Sequence, residues 1–160
     1  KWTIKFLSDG IITNTHTIKN YYESFLPVEK DFVTVIFNGV ETAPNYSDPY
    51  DFSRFIPSSE KNPVIILSTG RLAKQKGFSY LIDAAAGIVD EHPNVYFFLA
   101  GKGKQEKELR EKIARKGMEK RFILLGFVED IHSLLKGADI FVFSSTSETQ
   151  GMVLLELLLL

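Results

Sequence analysis

The chain contains no cysteine, which excludes a disulfide frame and any thiolate metal site. That absence is compatible with a cytoplasmic setting. No charge of one sign dominates: 19 Lys and Arg stand against 20 Asp and Glu, for a formal charge of -1. The balance gives no electrostatic case for general nucleic-acid binding. No apolar run approaches the roughly 20 residues that a membrane-spanning helix needs. The stretch from Lys1 to Asp9 lacks the apolar core and small-residue cleavage site of a signal peptide. His16, His92 and His132 show no metal-ligand spacing and read as surface residues, so no metal site is expected. There is no internal repeat and, apart from a leucine-rich end, no low-complexity tract. What is present is 160 residues, about one domain, with 44% hydrophobic and 12% aromatic residues, enough for a sizeable core.

Patterning divides the chain into alternating elements. Ile11 to Asn14 is a short strand candidate, and Thr15 or Thr17 can cap a helix from Ile18 to Phe25, ending before Pro27. Val33 to Phe37 is a second strand candidate. Residues 41 to 63 hold four prolines and many polar residues, including Asn45-Tyr46-Ser47, and read as a loop or linker with room for one short helix. Regular alternation then begins: strand Val64 to Ser68, helix Phe78 to Asp90, strand Val95 to Ala100, helix Gln105 to Lys116, strand Arg121 to Leu125. The helix from Phe78 places Phe78, Leu81, Ile82, Ala85, Ile88 and Val89 on one face. In the next helix Leu109 and Ile113 point inward. Asp130 can cap a short helix through Leu135 that Gly137 closes, and Asp139 to Phe143 is a final strand. Such alternation predicts a parallel sheet with right-handed crossovers.

Two places along this pattern carry chemistry. Glu148 and Glu156 are separated by seven residues, after the apolar run Ile140-Phe141-Val142-Phe143 and the polar cluster Ser144-Ser145-Thr146-Ser147. That order reads as buried strand, loop, helix start, with Glu148 in the loop and Glu156 on the helix. In an open α/β sheet the crevice at the carboxyl ends of the strands is where ligands bind. Two carboxylates there suit a ligand rich in hydroxyls, such as a sugar. Read alone, each also serves as a helix-start or solvated carboxylate, although Glu156 stands in an apolar run where a buried charge needs a donor. The second place is Gly70-Arg71-Leu72-Ala73-Lys74-Gln75-Lys76-Gly77, after the apolar strand Val64 to Leu67. Arg71 and Lys76 at the mouth of a helix suit an anion such as a diphosphate. Read alone, basic residues near a loop are more often simply solvated surface charges.

Gly-Arg-Leu…Lys-Gly followed by E-x7-E resembles the C-terminal, donor-binding domain of retaining glycosyltransferases with the GT-B fold, and within them glycosyltransferase family 4. Other pieces agree in order: Asn38-Gly39-Val40, Ala100-Gly101-Lys102-Gly103, Gly126-Phe127-Val128 and Ala138-Asp139-Ile140. The resemblance spans roughly residues 33 to 156. It implies an α/β fold, a Rossmann-like parallel sheet with flanking helices, truncated at its C-terminal end. Residues 1–26 would be the tail of an N-terminal acceptor domain and residues 27–160 the donor-binding domain. It further implies that Arg71 and Lys76, beside Gly70, bind the donor's diphosphate and stabilise charge on the leaving group. Glu148 would contact the transferred sugar and Glu156 the nucleoside ribose. Backbone N–H groups at Gly151, Met152 and Val153 would face the sugar-phosphate. Gly101 would turn the chain near the ligand. Phe127 and Val128 would lie beside the nucleobase, or else serve as core residues at a strand exit.

The function implied is transfer of a hexose from a nucleoside-diphosphate sugar, without a metal or other cofactor, to an acceptor hydroxyl on a sugar, lipid-linked sugar or small molecule. The setting would be cytoplasmic, peripheral at a membrane in the full-length enzyme. A non-catalytic nucleotide-sugar binding module and a sugar-nucleotide epimerase of the same fold are the alternatives. After Glu156 the family continues with small residues and further strands, whereas this chain reads Leu157-Leu158-Leu159-Leu160 and stops. Ile140 to Phe143 would then lie at or near an edge of the sheet, and the isolated chain is expected to be inactive and to self-associate through that run and the leucine-rich end.

Overall fold

A computed structural model of the chain describes residues 8–27, 29, 31–40, 48–148 and 151–158. Residues 1–7, 28 and 30, residues 41–47 of the expected linker, Thr149, Gln150 and the last two leucines of the apolar end lie outside the described residues. The chain divides into two compact units, residues 1–42 with 148–156, and residues 43–147 with 157–160.

The smaller unit contains strand β1 (Ile11–Thr13), helix α1 (His16–Phe25) and strand β2 (Val33–Val35). The strands pair in parallel, Ile11 opposite Val33 and Thr13 opposite Val35. Thr15 is the helix cap: its hydroxyl oxygen accepts the Ile18 N–H at 3.2 Å. That satisfies one of the free donors of the first turn and starts the helix at His16. Val33 and Leu26 are buried here. Helix α5 (Met152–Leu157) also falls in this unit up to Glu156.

The larger unit is a four-stranded parallel sheet in the order β5-β4-β3-β6. Its strands are β3 (Val64–Thr69), β4 (Val95–Ala100), β5 (Phe122–Gly126) and β6 (Ile140–Phe141). The connecting helices are α2 (Phe78–Glu91), α3 (Glu106–Arg115) and α4 (Ile131–Gly137). The expected short helix in the linker is a 3-10 turn at Ser53–Phe55.

Continuous apolar runs in β3 and β4 follow from coverage on both faces. On one face Ile66, Phe97, Leu99 and Phe122 pack under Leu81, Ile82 and Ala85 of α2 and Leu109 and Ile113 of α3. On the other, Ile65, Leu67, Tyr96 and Phe98 pack against Phe52 of the linker and Leu134 and Leu135 of α4. The linker is also tied at its far end, where Glu60 accepts from the Tyr96 hydroxyl at 3.1 Å and approaches Arg121 at 3.9 Å. Burial, then the Glu60 contact, pushes the Tyr96 hydroxyl above its ordinary range. No helix among the described residues is long and apolar enough to cross a membrane.

Three expectations are corrected. The run from Ile140 to Phe143 is not a fully buried strand: only two residues form β6, which pairs with β3 alone among the described residues, and Ile140 is 47% exposed. Its place at an edge of the sheet is as expected, with one side of its ladder unpaired among the described residues. Ile88, seven residues after buried Leu81 and so on the same side of the helix, is nonetheless 36% exposed near the end of α2, while Phe78, Leu81, Ile82 and Ala85 are buried. Gly137 does not stand outside α4 but is its last residue. Its lack of a side chain answers to packing instead, since a Cβ there would come within 2.6 Å of the Tyr50 carbonyl oxygen and 3.0 Å of the Phe52 ring.

Helices α2 and α3 are clamped by charge. Lys112 donates to Asp83 at 2.5 Å and to the Ser79 hydroxyl at 2.7 Å, and Lys116 lies 3.1 Å from Asp83. Lys112, then Lys116, holds the Asp83 carboxyl below its ordinary value of 3.8. A carboxyl lowered by folding contributes stability above its unfolded value, and that contribution is lost as pH falls through the folded value. Asp83→Asn is therefore expected to melt slightly below wild type at neutral pH, the effect being small because the pair is exposed. The gap should close below the ordinary carboxylate range. Thermal melts from pH 7 to pH 2 check this, and a gap that persists at low pH would exclude the clamp as its cause.

Candidate functional site

The carboxyl ends of β3, β4 and β5 bring three turns to one end of the sheet. Gly70 follows β3 and its N–H donates to the Ala100 carbonyl at 3.0 Å. Gly101 follows β4 and donates to the Gly126 carbonyl at 2.6 Å. Each glycine thus extends the ladder one step beyond its strand. Gly101 has φ 146°, and a Cβ there would overlap the Gly70 carbonyl. Only glycine lets the two turns lie so close.

The loop from Gly70 to Gly77 is anchored at its middle. Leu72 is buried in the core, its N–H donates to Lys102 O at 2.9 Å, and its carbonyl accepts from Gln105 N at 3.1 Å. With Leu72 turned inward, its neighbour Arg71 is exposed at the strand ends. The chain then makes a 3-10 turn at Lys74–Lys76 and enters α2 through Gly77. Lys76 is half-buried, with its ammonium 5.8 Å from the centre of the Phe143 ring. Gly77 at the N-cap of α2 supplies no side-chain cap, and of the first-turn N–H groups Tyr80's turns back to the Gly77 carbonyl at 2.9 Å. The start of this 14-residue helix, preceded by Arg71 and Lys76, favours an anion.

Gly77 is the tightest point of this loop. It has φ 67°, and a Cβ would overlap the carbonyl of Ser144 in the segment that follows β6. That segment is stitched to β3 and its loop by hydroxyls as well as backbone. Val142 N donates to Leu67 O at 2.8 Å, Ser68 Oγ to Val142 O at 2.7 Å, and Ser144 Oγ to Lys76 O at 2.8 Å.

At the end of β5, Phe127 is 66% exposed, and the Lys102 ammonium lies 5.7 Å from its ring centre. Val128 is half-buried against the linker-side cluster. The two alternatives left open by the sequence thus divide: Val128 packs with the core, and Phe127 does not. Arg71, Lys76, Gly70, Gly101, Phe127 and Val128 all belong to the larger unit, on the strand-end loops.

The glutamate segment belongs to the smaller unit. Glu148 is exposed, Gly151 is buried with φ 60°, and Glu156 is half-buried on α5 with Met152 and Val153. Met152 receives a contact from the Asn38 amide nitrogen at 3.6 Å. Leu154 and Leu158 are exposed, while Leu157 is half-buried. Sequence reasoning did not single out Phe143 beneath Lys76, Lys102 beside Phe127, or the roles of Ser144 and Thr146. The only signal for the last two was the hydroxyl-rich composition of residues 144–147.

Comparison with known proteins decides the family. The family model for glycosyl transferases group 1 matches residues 50–159. The chain belongs to the group 1 glycosyl transferases. An uncharacterized glycosyltransferase of Methanocaldococcus jannaschii is 31% identical, over 91% of this chain and 39% of that protein. The crystal structure of Anabaena HepE in complex with UDP and glucose superposes with a TM-score of 0.77 at 28% identity, covering 95% of this chain and 42% of that one. The C-terminal domain of a group 1 glycosyl transferase from Francisella tularensis superposes with a TM-score of 0.59 at 26% identity, over 76% of this chain and 66% of that one. The fold is the Rossmann-like α/β arrangement of the GT-B glycosyltransferases. The chain spans about two fifths of the length of the archaeal relative.

Gly77 generates a direct test. In Gly77→Ala the left-handed backbone alone costs about 1–2 kcal/mol, and the Ser144 carbonyl must move as well. We expect a loss of at least that size in urea unfolding, with an unchanged m value. Wild-type stability in Gly77→Ala would mean that the two loops do not meet as described.

Proposed function

We propose that the chain is the donor-binding part of a retaining glycosyltransferase that moves a hexose from a nucleoside-diphosphate sugar to an acceptor hydroxyl. The observation that carries this reading is the loop after β3, which leads exposed Arg71 and half-buried Lys76 into an α2 N-terminus with no side-chain cap. Membership of the group 1 family and the UDP and glucose bound by Anabaena HepE support it. In this reading Arg71 and Lys76 grip the diphosphate and stabilise the charge that grows on it as the sugar leaves. Groups fixed in advance toward developing charge are often the largest catalytic contribution. The exposed ring of Phe127 offers a flat apolar face to the nucleobase. Glu148 takes hydroxyls of the transferred sugar, Glu156 those of the ribose, and the N–H groups at Gly151, Met152 and Val153 the sugar-phosphate. Residues 27–160 form the donor domain and residues 1–26 the tail of an acceptor domain.

Titration calorimetry with UDP on wild type, Arg71→Ala and Lys76→Ala tests the phosphate site. Each substitution is expected to cost roughly 1.5–3 kcal/mol of binding, the scale of a hydrogen bond to a charged group. Equal affinity in all three folded proteins would remove the site. In the full-length enzyme, Glu148→Ala should abolish transfer while UDP still binds. The 160-residue chain alone should transfer little, because holding the acceptor against the donor supplies much of the rate enhancement. A second reading, a non-catalytic nucleotide-sugar binding module, predicts no turnover even by the full-length protein.

The edge strand completes the proposal. β6 carries no proline or charge to discourage pairing with another chain, so the isolated chain is proposed to self-associate through it and the exposed leucines of the C-terminal region. Sedimentation velocity should show an association that rises with concentration and falls in Phe141→Lys. A wild-type monomer at all concentrations would sink the proposal.

A further inference from the structure

We infer that Ser144 and Thr146 are positioning residues for Lys76, holding its ammonium where the donor's diphosphate would bind. The inference rests on the diphosphate reading above and adds how that half of the site is held. The turn at Lys74–Lys76 is only three residues long, and such 3-10 pieces have poor hydrogen-bond geometry of their own. Internally it is held by Lys76 N donating to Ala73 O at 3.0 Å and Gly77 N to Lys74 O at 3.1 Å.

The carbonyls of Gln75 and Lys76 are taken up by the segment after β6. Ser144 Oγ donates to Lys76 O at 2.8 Å. Thr146 N and Thr146 Oγ1 both donate to Gln75 O, at 2.8 and 3.2 Å. Phe143, one residue before Ser144, lies beneath the Lys76 ammonium at 5.8 Å, within the range of a cation–π attraction. One four-residue stretch therefore holds the backbone of Lys76 and one face of its side chain. A lysine has four flexible bonds, and fixing it before the ligand arrives removes an ordering cost from binding.

The arrangement has little to do with the core. Ser144 is half-buried and Thr146 is exposed, and their hydroxyls donate to the carbonyls of Lys76 and Gln75 on the strand-end loop. Loss of the Ser144 hydroxyl should therefore loosen Lys76 more than it loosens the fold.

The test is a coupling cycle on the intact protein, with UDP as the probe, read by calorimetry beside thermal melts. Ser144→Ala is expected to bind UDP about fivefold more weakly, the loss of one neutral hydrogen bond. Ser144→Thr, which keeps the hydroxyl, should recover most of the affinity. In a Lys76→Ala background, Ser144→Ala should cause no further loss, because a residue that acts through Lys76 has nothing left to position. Thr146→Val probes the neighbouring carbonyl and should weaken UDP binding in the same Lys76-dependent way, which keeps the idea testable if Ser144→Ala folds poorly. Wild-type affinity in both Ser144→Ala and Thr146→Val, or equal losses with and without Lys76, would overturn the positioning role. If Lys76→Ala itself binds UDP like wild type, the diphosphate reading falls and the positioning role with it.

Discussion

The ladder between β3 and β4 runs for six residues, from Val64 opposite Val95 to Thr69 opposite Ala100. β4 is buried along its whole length and β3 along all but its first residue. Successive side chains alternate between the α2–α3 side and the linker–α4 side. A slip of one residue would exchange Phe97 and Leu99 with Tyr96 and Phe98 and leave both cores mismatched. This register is therefore strongly fixed, and the positions beyond it inherit the precision. Gly70 and Gly101 continue the same ladder for one more bond each. The cation-bearing loop begins from a point that the whole core holds in place.

From that point outward, the means of support change. Regular strand pairing ends with β6 after two residues, and side-chain hydroxyls join a few isolated backbone bonds beyond it. Ser68, Ser144 and Thr146 each donate to a backbone carbonyl across the seam between β3 with its loop and the segment after β6. Hydroxyl bonds of this kind are individually modest. They leave the chain free to follow an irregular path, which a regular ladder would not allow, while still satisfying the carbonyls that the path exposes. A loop that must present charge at a strand end needs that combination.

The fold was largely legible in the sequence because apolar runs and glycine or proline punctuation mark every strand from β3 to β5. Thr15 and Asp130 marked their helices because capping is a local affair, settled within three residues. What escaped depended on distant partners. Gly137 read as a helix stop because its real neighbours, Tyr50 and Phe52, lie more than 80 residues earlier. The run from Ile140 to Phe143 was expected at an edge, but it also read as a longer and buried strand, because four apolar residues look the same whether or not they are covered. The loop carrying Arg71 and Lys76 was legible as a strand-to-helix turn. Its tether to Ser144 and Thr146 was not, since the two halves lie 68 and 71 residues apart. Composition could say that residues 144–147 were polar, but not what their hydroxyls would reach.

The close approach of Gly77 to the Ser144 carbonyl also bears on how this protein can change through descent. Surface loops ordinarily absorb insertions at small entropic cost. The turn from Ala73 to Gly77 has no such latitude, being closed against the core by Leu72 on one side and against the Ser144 segment on the other. One added residue would carry Gly77 away from the Ser144 carbonyl, where its missing side chain makes room, and would displace the carbonyls that Ser144 and Thr146 hold. The turn after β5 is less confined, for the exposed ring of Phe127 can be exchanged without disturbing a buried neighbour. Variation in length is thus barred beside the cations, and variation in side chain is open at the far turn. Diversification of such a scaffold would proceed by swapping what the second turn displays while the first keeps its residue count.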